Sequence, residues 1–272
     1  MLRAIDVQGY IVPDDDAWVY RFFGISATSP RDIREALKKA GKEPVTVRIN
    51  SCGGDVWSAS DMYTALMQHE PGVEVEVSGL AASAATVIMM AGRTVRASPT
   101  AEIMIHNPTS EARGDYRTME HAAQSLRNTR ETIVNAYVIK SGLTREKLRS
   151  MMNAETWMTA QSAKGNGLID EIMFTSEEAL NGGIPEESQE AVGAGVKAAA
   201  MSMPSAEALK AKWSVYREFA PNANSVEEAR GMIAERFAEN KEPKNNPEPA
   251  QENGIDEERF NFLKEQIKVM AM

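Results

Sequence analysis

Residues 45–91 read VTVRINSCGGDVWSASDMYTALMQHEPGVEVEVSGLAASAATVIMMA and decide the fold class. Residues 45–49 and 73–77 are rich in β-branched side chains, which favours β-strands. Residues 57–69 and 79–91 follow these strands and predict helices, the second of them built from small apolar side chains. A strand, a helix, a second strand and a second helix in this order predict parallel strands joined by crossover helices.

The same alternation continues on both sides of this stretch. Further strands are predicted at residues 4–12, 93–97 and 101–106. Ser29 and Pro30 suit the N-cap and the first position of a helix that runs to about residue 40. Residues 115–140 predict a long helix, with an apolar stripe near helical spacing at Met119, Ala122, Ala123, Leu126, Ile133, Val134 and Tyr137. We therefore predict an α/β fold with a mostly parallel sheet.

The composition changes near residue 180, where glycine, proline, glutamate, asparagine and alanine become frequent. Such stretches bury too little apolar surface to offset the entropy of ordering, so two linkers are predicted, at residues 181–205 and 238–254. Amphipathic helices are predicted at residues 205–219, 225–240 and 256–272. The chain is thus divided into a main domain, residues 1–178, and a mostly flexible helical tail, residues 179–272.

Charge and composition exclude several classes of function. The net charge is −9, so a nucleic acid is not expected as a partner. One cysteine and three widely spaced histidines predict neither a disulfide framework nor a metal site, and we expect no cofactor. No apolar run reaches the roughly 18 residues that span a bilayer, and the first residues lack a signal-peptide pattern. We expect a cytoplasmic protein without membrane contact.

Three segments carry groups suited to catalysis. After a predicted strand, Gly53 and Gly54 leave backbone N–H groups uncovered, and such donors suit a phosphate, a carboxylate or a developing oxyanion. Ser83 stands where a strand passes into a helix, among small side chains that let a substrate approach. His106 follows a buried strand. Each feature alone also has a purely structural interpretation: a β-turn, a packed helix serine and a structural hydrogen-bonding histidine.

Together these residues indicate nucleophilic catalysis. Serine is a poor nucleophile without a base to accept its proton, and His106 would serve as that base. An acid must then orient the imidazole and favour its charged form. Candidates for the acid lie in residues 153–160, which read NAETWMTA.

Four blocks of the sequence resemble one protein family. They are residues 49–56 (INSCGGDV), 79–92 (GLAASAATVIMMAG), 104–108 (MIHNP) and 155–170 (ETWMTAQSAKGNGLID). In order and spacing they resemble the proteolytic subunit of the Clp protease and, more closely, its phage-encoded relatives, the Clp-like head maturation proteases. The resemblance covers about residues 3–175. It implies a serine peptidase of the ClpP/crotonase-like fold that assembles into rings.

The resemblance also implies residue roles. Ser83 matches the nucleophile and His106 the general base, while Gly54 and Ala84 match the backbone donors of the oxyanion hole. Glu155 stands where the Clp subunit has aspartate, and Asn153 is the alternative residue to orient the imidazole. Cys52 stands where a proline usually precedes the two glycines; a small turn residue is the favoured interpretation, with a cysteine nucleophile as the alternative.

The implied substrates are capsid and scaffolding precursors that are cleaved during phage head maturation. The alternative is a housekeeping Clp proteolytic subunit that works with an ATP-driven unfoldase. An acyl-CoA enzyme of the crotonase type and a catalytically inactive structural ring are further alternatives. In the family the helix that matches residues 115–140 packs between two stacked rings. The alternative is that its apolar stripe belongs to the core of the subunit.

Overall fold

The computed structural model describes residues 3–175 and 204–239, and inter-residue contacts divide the chain into two units, Met1–Arg230 and Gly231–Met272. The strands are β1 (Arg3–Ile11), β2 (Ala27–Thr28), β3 (Val45–Gly54), β4 (Val73–Ala82), β5 (Thr94–Ala97), β6 (Glu102–Ile105), β7 (Thr156–Thr159) and β8 (Glu171–Ile172). The helices are α1 (Ala17–Phe22), α2 (Pro30–Ala40), α3 (Val56–Met67), α4 (Ala84–Met89), α5 (Tyr116–Ser141), α6 (Arg145–Asn153), α7 (Ala160–Gly165), α8 (Ala206–Phe219) and α9 (Val226–Glu239).

The described strands form one sheet in the order β2-β1-β3-β4-β5-β8, and β6 pairs with both β4 and β7. Every pair is parallel except β6 with β7, which is antiparallel. The predicted α/β class with a mostly parallel sheet is therefore confirmed. Because β4 changes partner from β5 to β6 along its length, its carboxyl end lies between the ends of β3 and β6.

Two predicted boundaries were wrong. The strand predicted at residues 45–49 is longer than expected: β3 continues to Gly54 because Tyr10 and Ile11 of β1 pair with Gly53 and Gly54 across a register shift. Residues 79–91 were predicted as a helix, but residues up to Ala82 remain in β4 and pair with β6, so that α4 begins only at Ala84. In both places the strand is extended by pairing with a distant segment, which local composition does not reveal.

Local signals do set two helix starts. The Ser29 N–H donates to Oδ2 of Asp32 over 2.8 Å, and Pro30 occupies the first helical position of α2, as predicted. Asp115 caps α5 by accepting a hydrogen bond from the Thr118 N–H over 3.0 Å. The long helix predicted at residues 115–140 is thus present at Tyr116–Ser141.

Helix α5 divides into an exposed part and a buried part. Near its start, Tyr116 is 70% exposed and Met119 is 42% exposed. Its buried residues, which include Val134 and Tyr137, belong to the second half and pack in the core with α4 and the buried sides of the strands. The apolar stripe therefore serves the core of the subunit only in the second half of the helix.

Helix α8 packs against α1, a contact that the sequence did not predict. Leu209 and Ala206 join an apolar cluster with Val19 and Tyr20. The rings of Trp18 and Trp213 meet edge to face at 4.9 Å, and the Tyr20 hydroxyl donates to the Pro204 carbonyl over 3.1 Å. An ion pair between Lys210 and Asp16 adds a charged contact. Aromatic edge contacts and buried apolar area both stabilise this packing.

The predicted helices at residues 205–219 and 225–240 are present as α8 and α9. The third predicted helix, at residues 256–272, lies outside the described residues. So do nearly all residues of the two predicted linkers.

We predict that Leu209→Ala releases α8 from α1. Leu209 is 3% exposed, and truncating such a side chain costs roughly 2–5 kcal/mol. Hydrogen-exchange mass spectrometry should show faster amide exchange across α8 and unchanged exchange in β3 and β4. Ser214→Ala, on the exposed side of the same helix, is the matched control. Equal protection of α8 in both variants would contradict the packing role of Leu209.

Candidate active site

A cleft of about 470 Å³ lies at the carboxyl ends of β3, β4 and β6. Ligands of parallel sheets commonly bind at this edge, where loops and helix starts meet. The lining includes candidate residues from each of the three strand ends: Gly53, Gly54, Ser83, Ala84 and His106. The second half of α5 closes another side of the cleft through Thr129, Ile133 and Tyr137.

Ser83 occupies a strained turn between β4 and α4. Its backbone has φ 55° and ψ −125°, a conformation that residues with a side chain rarely adopt. Its N–H donates to the Met104 carbonyl of β6 over 2.9 Å, and its carbonyl accepts the Thr86 N–H over 3.0 Å. These bonds hold the turn so that the half-buried hydroxyl lines the cleft.

The imidazole of His106 meets this hydroxyl. Nε2 of His106 lies 2.7 Å from Oγ of Ser83, which is hydrogen-bonding distance. His106 directly follows β6, and β6 is paired with the last residues of β4, so the sheet itself brings the two side chains together. A base at this distance from a hydroxyl is the arrangement that activates serine as a nucleophile.

Glu155 and Asn153 are placed differently with respect to this imidazole. The antiparallel ladder ends with the pair Ile105 and Thr156, so His106 directly follows this pair on one strand and Glu155 directly precedes it on the other. Glu155 is half-buried and its backbone has φ 50°. Asn153 is exposed at the end of α6, and its Oδ1 accepts a hydrogen bond from Nδ2 of Asn107 over 2.9 Å. In sequence, Glu155 is therefore one residue from this strand pair and Asn153 is three residues from it.

Two backbone N–H groups near Ser83, those of Gly54 and Ala84, are candidate donors to an oxyanion. The Asp55 N–H donates to the Ile11 carbonyl of β1 over 2.8 Å. Because N–H groups alternate in direction along a strand, we expect that of Gly54 to point away from β1. Ala84 is the first residue of α4, where helix geometry leaves the N–H without an intrahelical acceptor. Two such donors next to a nucleophile can stabilise an oxyanion.

Close contacts with neighbouring backbone and side-chain atoms require glycine at both Gly53 and Gly54. A Cβ on Gly54, which has φ 146°, would lie 2.1 Å from the Ile11 carbonyl oxygen. A Cβ on Gly53, which has φ 96°, would lie 2.8 Å from Cβ of Ser83. Any side chain at these positions would separate β3 from β1 or from the Ser83 turn.

Cys52 lines the same cleft, but it is poorly suited to act as a nucleophile. Burial raises the pKa of its thiol, which disfavours the reactive thiolate. The imidazole of His106 makes its hydrogen bond to the Ser83 hydroxyl instead.

Two polar residues beside the site were missed by sequence reasoning. The hydroxyls of Thr86 and Tyr137 lie 2.7 Å apart, and both residues are buried. Tyr137 was predicted only as part of an apolar stripe. The one local signal was a threonine inside the otherwise apolar run of residues 84–91, and its partner is 51 residues further along the chain.

Neither of two other kinds of site is found in the described part of the chain. Residues 3–175 and 204–239 contain no helix with the length and apolar character needed to cross a bilayer. The same residues contain no group of three or more histidine, cysteine, aspartate or glutamate side chains arranged to hold a metal ion.

Comparison with known proteins agrees with the fold and the motifs. The family model described as Clp protease matches residues 35–176, more than half of the chain. A point mutant of ClpP1 from Listeria monocytogenes is a similar solved structure, with a TM-score of 0.53 and 23% sequence identity. The match covers 65% of this chain and 94% of that chain. At this identity the likeness establishes the fold.

The protein is thus a mixed α/β protein of the ClpP-like fold, with a serine and a histidine joined at the carboxyl ends of its parallel strands. The chain belongs to the Clp protease family, a family of serine-type endopeptidases. Proteins of this family assemble into rings of identical subunits. The resemblance deduced from the four motifs is confirmed at this level.

We predict a pH-dependent stability that originates in Tyr137. Burial raises the pKa of this hydroxyl to about 12. The unfolded side chain ionises near pH 10. The stabilisation is therefore complete below pH 10 and is lost as the pH rises toward about 12, by about 2–3 kcal/mol in total.

Urea unfolding of the wild type and of Tyr137→Phe between pH 8 and pH 11.5 measures this effect. The difference in unfolding free energy between the two proteins should stay constant up to about pH 10. Above that pH the wild type should lose stability relative to the variant. Parallel curves over the whole range would contradict the shifted pKa.

Proposed function

We propose that Ser83, His106 and Glu155 form the catalytic triad of this endopeptidase, with the N–H groups of Gly54 and Ala84 as its oxyanion hole. The observation that carries the proposal is the 2.7 Å separation between Ser83 Oγ and His106 Nε2, both of which line the cleft. The pairing of Ile105 with Thr156 supports the third member, because His106 and Glu155 both adjoin this pair.

Backbone strain supports the same residues. Within residues 3–175 and 204–239, positive φ values occur at three residues other than glycine: Ser83, Glu155 and Phe174. Such conformations cost about 1–3 kcal/mol each and concentrate at functional sites. Two of the three strained residues are thus members of the proposed triad.

The proposed chemistry is acyl transfer. Ser83 Oγ attacks the peptide carbonyl carbon while His106 accepts the hydroxyl proton, and the oxyanion that forms is stabilised by the Gly54 and Ala84 N–H groups. His106 then donates that proton to the leaving amine as the C–N bond breaks. Water, deprotonated by His106, hydrolyses the resulting ester and restores the Ser83 hydroxyl. Glu155 accepts a hydrogen bond from the other imidazole N–H and stabilises the charged ring.

For the substrate, we propose capsid and scaffolding precursors during phage head maturation, in the cytoplasm or within the assembling head. The motif resemblance to phage Clp-like proteases supports this choice. We further propose that subunits stack as two rings through α5, because Tyr116 and Met119 near its start are exposed. The division into a protease domain, residues 1–178, and a tail, residues 179–272, completes the proposal; α8 shows that part of this tail packs on α1.

Cleavage of a purified precursor tests the function. Wild type should process the capsid or scaffolding precursor without ATP, and Ser83→Ala should show no processing above background because the nucleophile is gone. A fluorophosphonate probe should label wild type at Ser83 and leave Ser83→Ala unlabelled. Processing by Ser83→Ala at the wild-type rate would overturn the triad. Degradation that requires an added Clp unfoldase and ATP would instead favour the housekeeping alternative.

We predict that Glu155→Gln and Asn153→Ala differ sharply in activity. Glutamine cannot stabilise the imidazolium, so Glu155→Gln should lower kcat by roughly 10²- to 10⁴-fold. Asn153→Ala should keep kcat within about 3-fold, because the Asn153 side chain bonds to Asn107. Steady-state hydrolysis of a fluorogenic peptide measures both. The reverse ranking would assign the orienting role to Asn153.

A further inference from the structure

The carbonyl oxygen of Ser83 is anchored by one residue, Thr86. Both the Thr86 N–H and its Oγ1 hydroxyl donate to this oxygen, over 3.0 Å and 2.5 Å. Thr86 itself is fully buried in α4. Its hydroxyl has a single proton, and this bond uses it.

The single hydroxyl proton of Thr86 also fixes the direction of its hydrogen bond with the Tyr137 hydroxyl. Because the Thr86 hydroxyl donates to Ser83, its oxygen can only accept from the Tyr137 hydroxyl, which lies 2.7 Å away. Tyr137 is 2% exposed and belongs to α5. The three groups form a chain that runs from the Tyr137 O–H to the Thr86 O–H and on to the Ser83 carbonyl.

This chain controls the peptide group between Ser83 and Ala84. The described residues contain no cis peptide bond, and in a planar trans peptide the C=O and the following N–H point in opposite directions. Holding the Ser83 oxygen toward the core therefore turns the Ala84 N–H outward. There it approaches Gly53, since a Cβ on Gly53 would lie 3.0 Å from the Ala84 nitrogen.

We propose that Thr86 and Tyr137 are positioning residues that orient the Ala84 N–H toward the oxyanion. This inference rests on the proposed function, in which that N–H stabilises the tetrahedral intermediate. Neither side chain needs to touch the reacting atoms; their effect reaches the substrate through one peptide plane. A buried pair with a purely structural role would stabilise the fold without selective influence on the transition state.

Four single variants test this proposal. Thr86→Val and Tyr137→Phe each remove one hydroxyl at nearly constant volume, and Thr86→Ser restores the hydroxyl. Thr46→Val, at a buried threonine near the opposite end of β3, is the control for loss of a buried hydroxyl elsewhere. Circular dichroism and urea unfolding establish that each variant folds; if Thr86→Val does not, Tyr137→Phe decides.

Thr86→Val should lower kcat by about 10- to 100-fold with KM within about 3-fold, because only the transition state carries the full oxyanion charge. Tyr137→Phe should lower kcat by about 3- to 10-fold, since Thr86 can still donate. The double variant Thr86→Val/Tyr137→Phe should have the same kcat as Thr86→Val, because Tyr137 acts through Thr86. Thr86→Ser should recover most of the activity, and Thr46→Val should keep the wild-type kcat.

A peptide aldehyde gives a second readout, since it forms a tetrahedral adduct with Ser83. Its affinity should fall by the same factor as kcat/KM across the variants. Wild-type kcat in Thr86→Val and Tyr137→Phe, or equal losses in Thr86→Val and Thr86→Ser, would overturn the positioning role. That failure is distinguishable from failure of the proposed function, because the latter appears as activity retained in Ser83→Ala.

Discussion

The left-handed backbone at Ser83 is the constraint on which the rest of the site depends. A residue with a side chain loses roughly 1–3 kcal/mol in such a conformation, and Ser83 adopts it with φ 55°. Bonds on both sides offset the cost: its N–H donates to Met104 in β6 and its carbonyl accepts from Thr86 in α4. The turn therefore depends on the pairing of β4 with β6 and on the packing of α4 in the core.

The same pairing places the other reactive groups. His106 directly follows β6. Because β6 lies beside the end of β4, Nε2 of His106 lies 2.7 Å from the Ser83 hydroxyl oxygen. The antiparallel partner β7 then begins one residue after Glu155. The glycines at the end of β3 complete the arrangement by close contact with β1 and the Ser83 turn. Sheet topology, more than any single side chain, brings together residues that are far apart in sequence.

This dependence explains which features the sequence could predict. Ser83, His106 and the two glycines stand in motifs whose residue types have a chemical reason, so they could be named before the structure was known. The ends of β3 and β4 could not be predicted, because pairing with Ile11 and with Glu102 extends these strands through glycine and alanine. Nor could the packing of α8 on α1, where the contact between Tyr20 and Pro204 joins residues 184 positions apart.

The oxyanion hole shows this limit most clearly. Its proposed donors are backbone N–H groups, and every residue except proline has one, so the capacity to donate does not depend on residue type. A sequence reveals such donors only through the residues that shape the backbone around them. At Gly54 that residue is the donor itself, since any Cβ would collide with Ile11. At Ala84 the shaping groups are Thr86 and Tyr137, which hold the preceding carbonyl. One donor is therefore visible in a motif and the other only in the folded core.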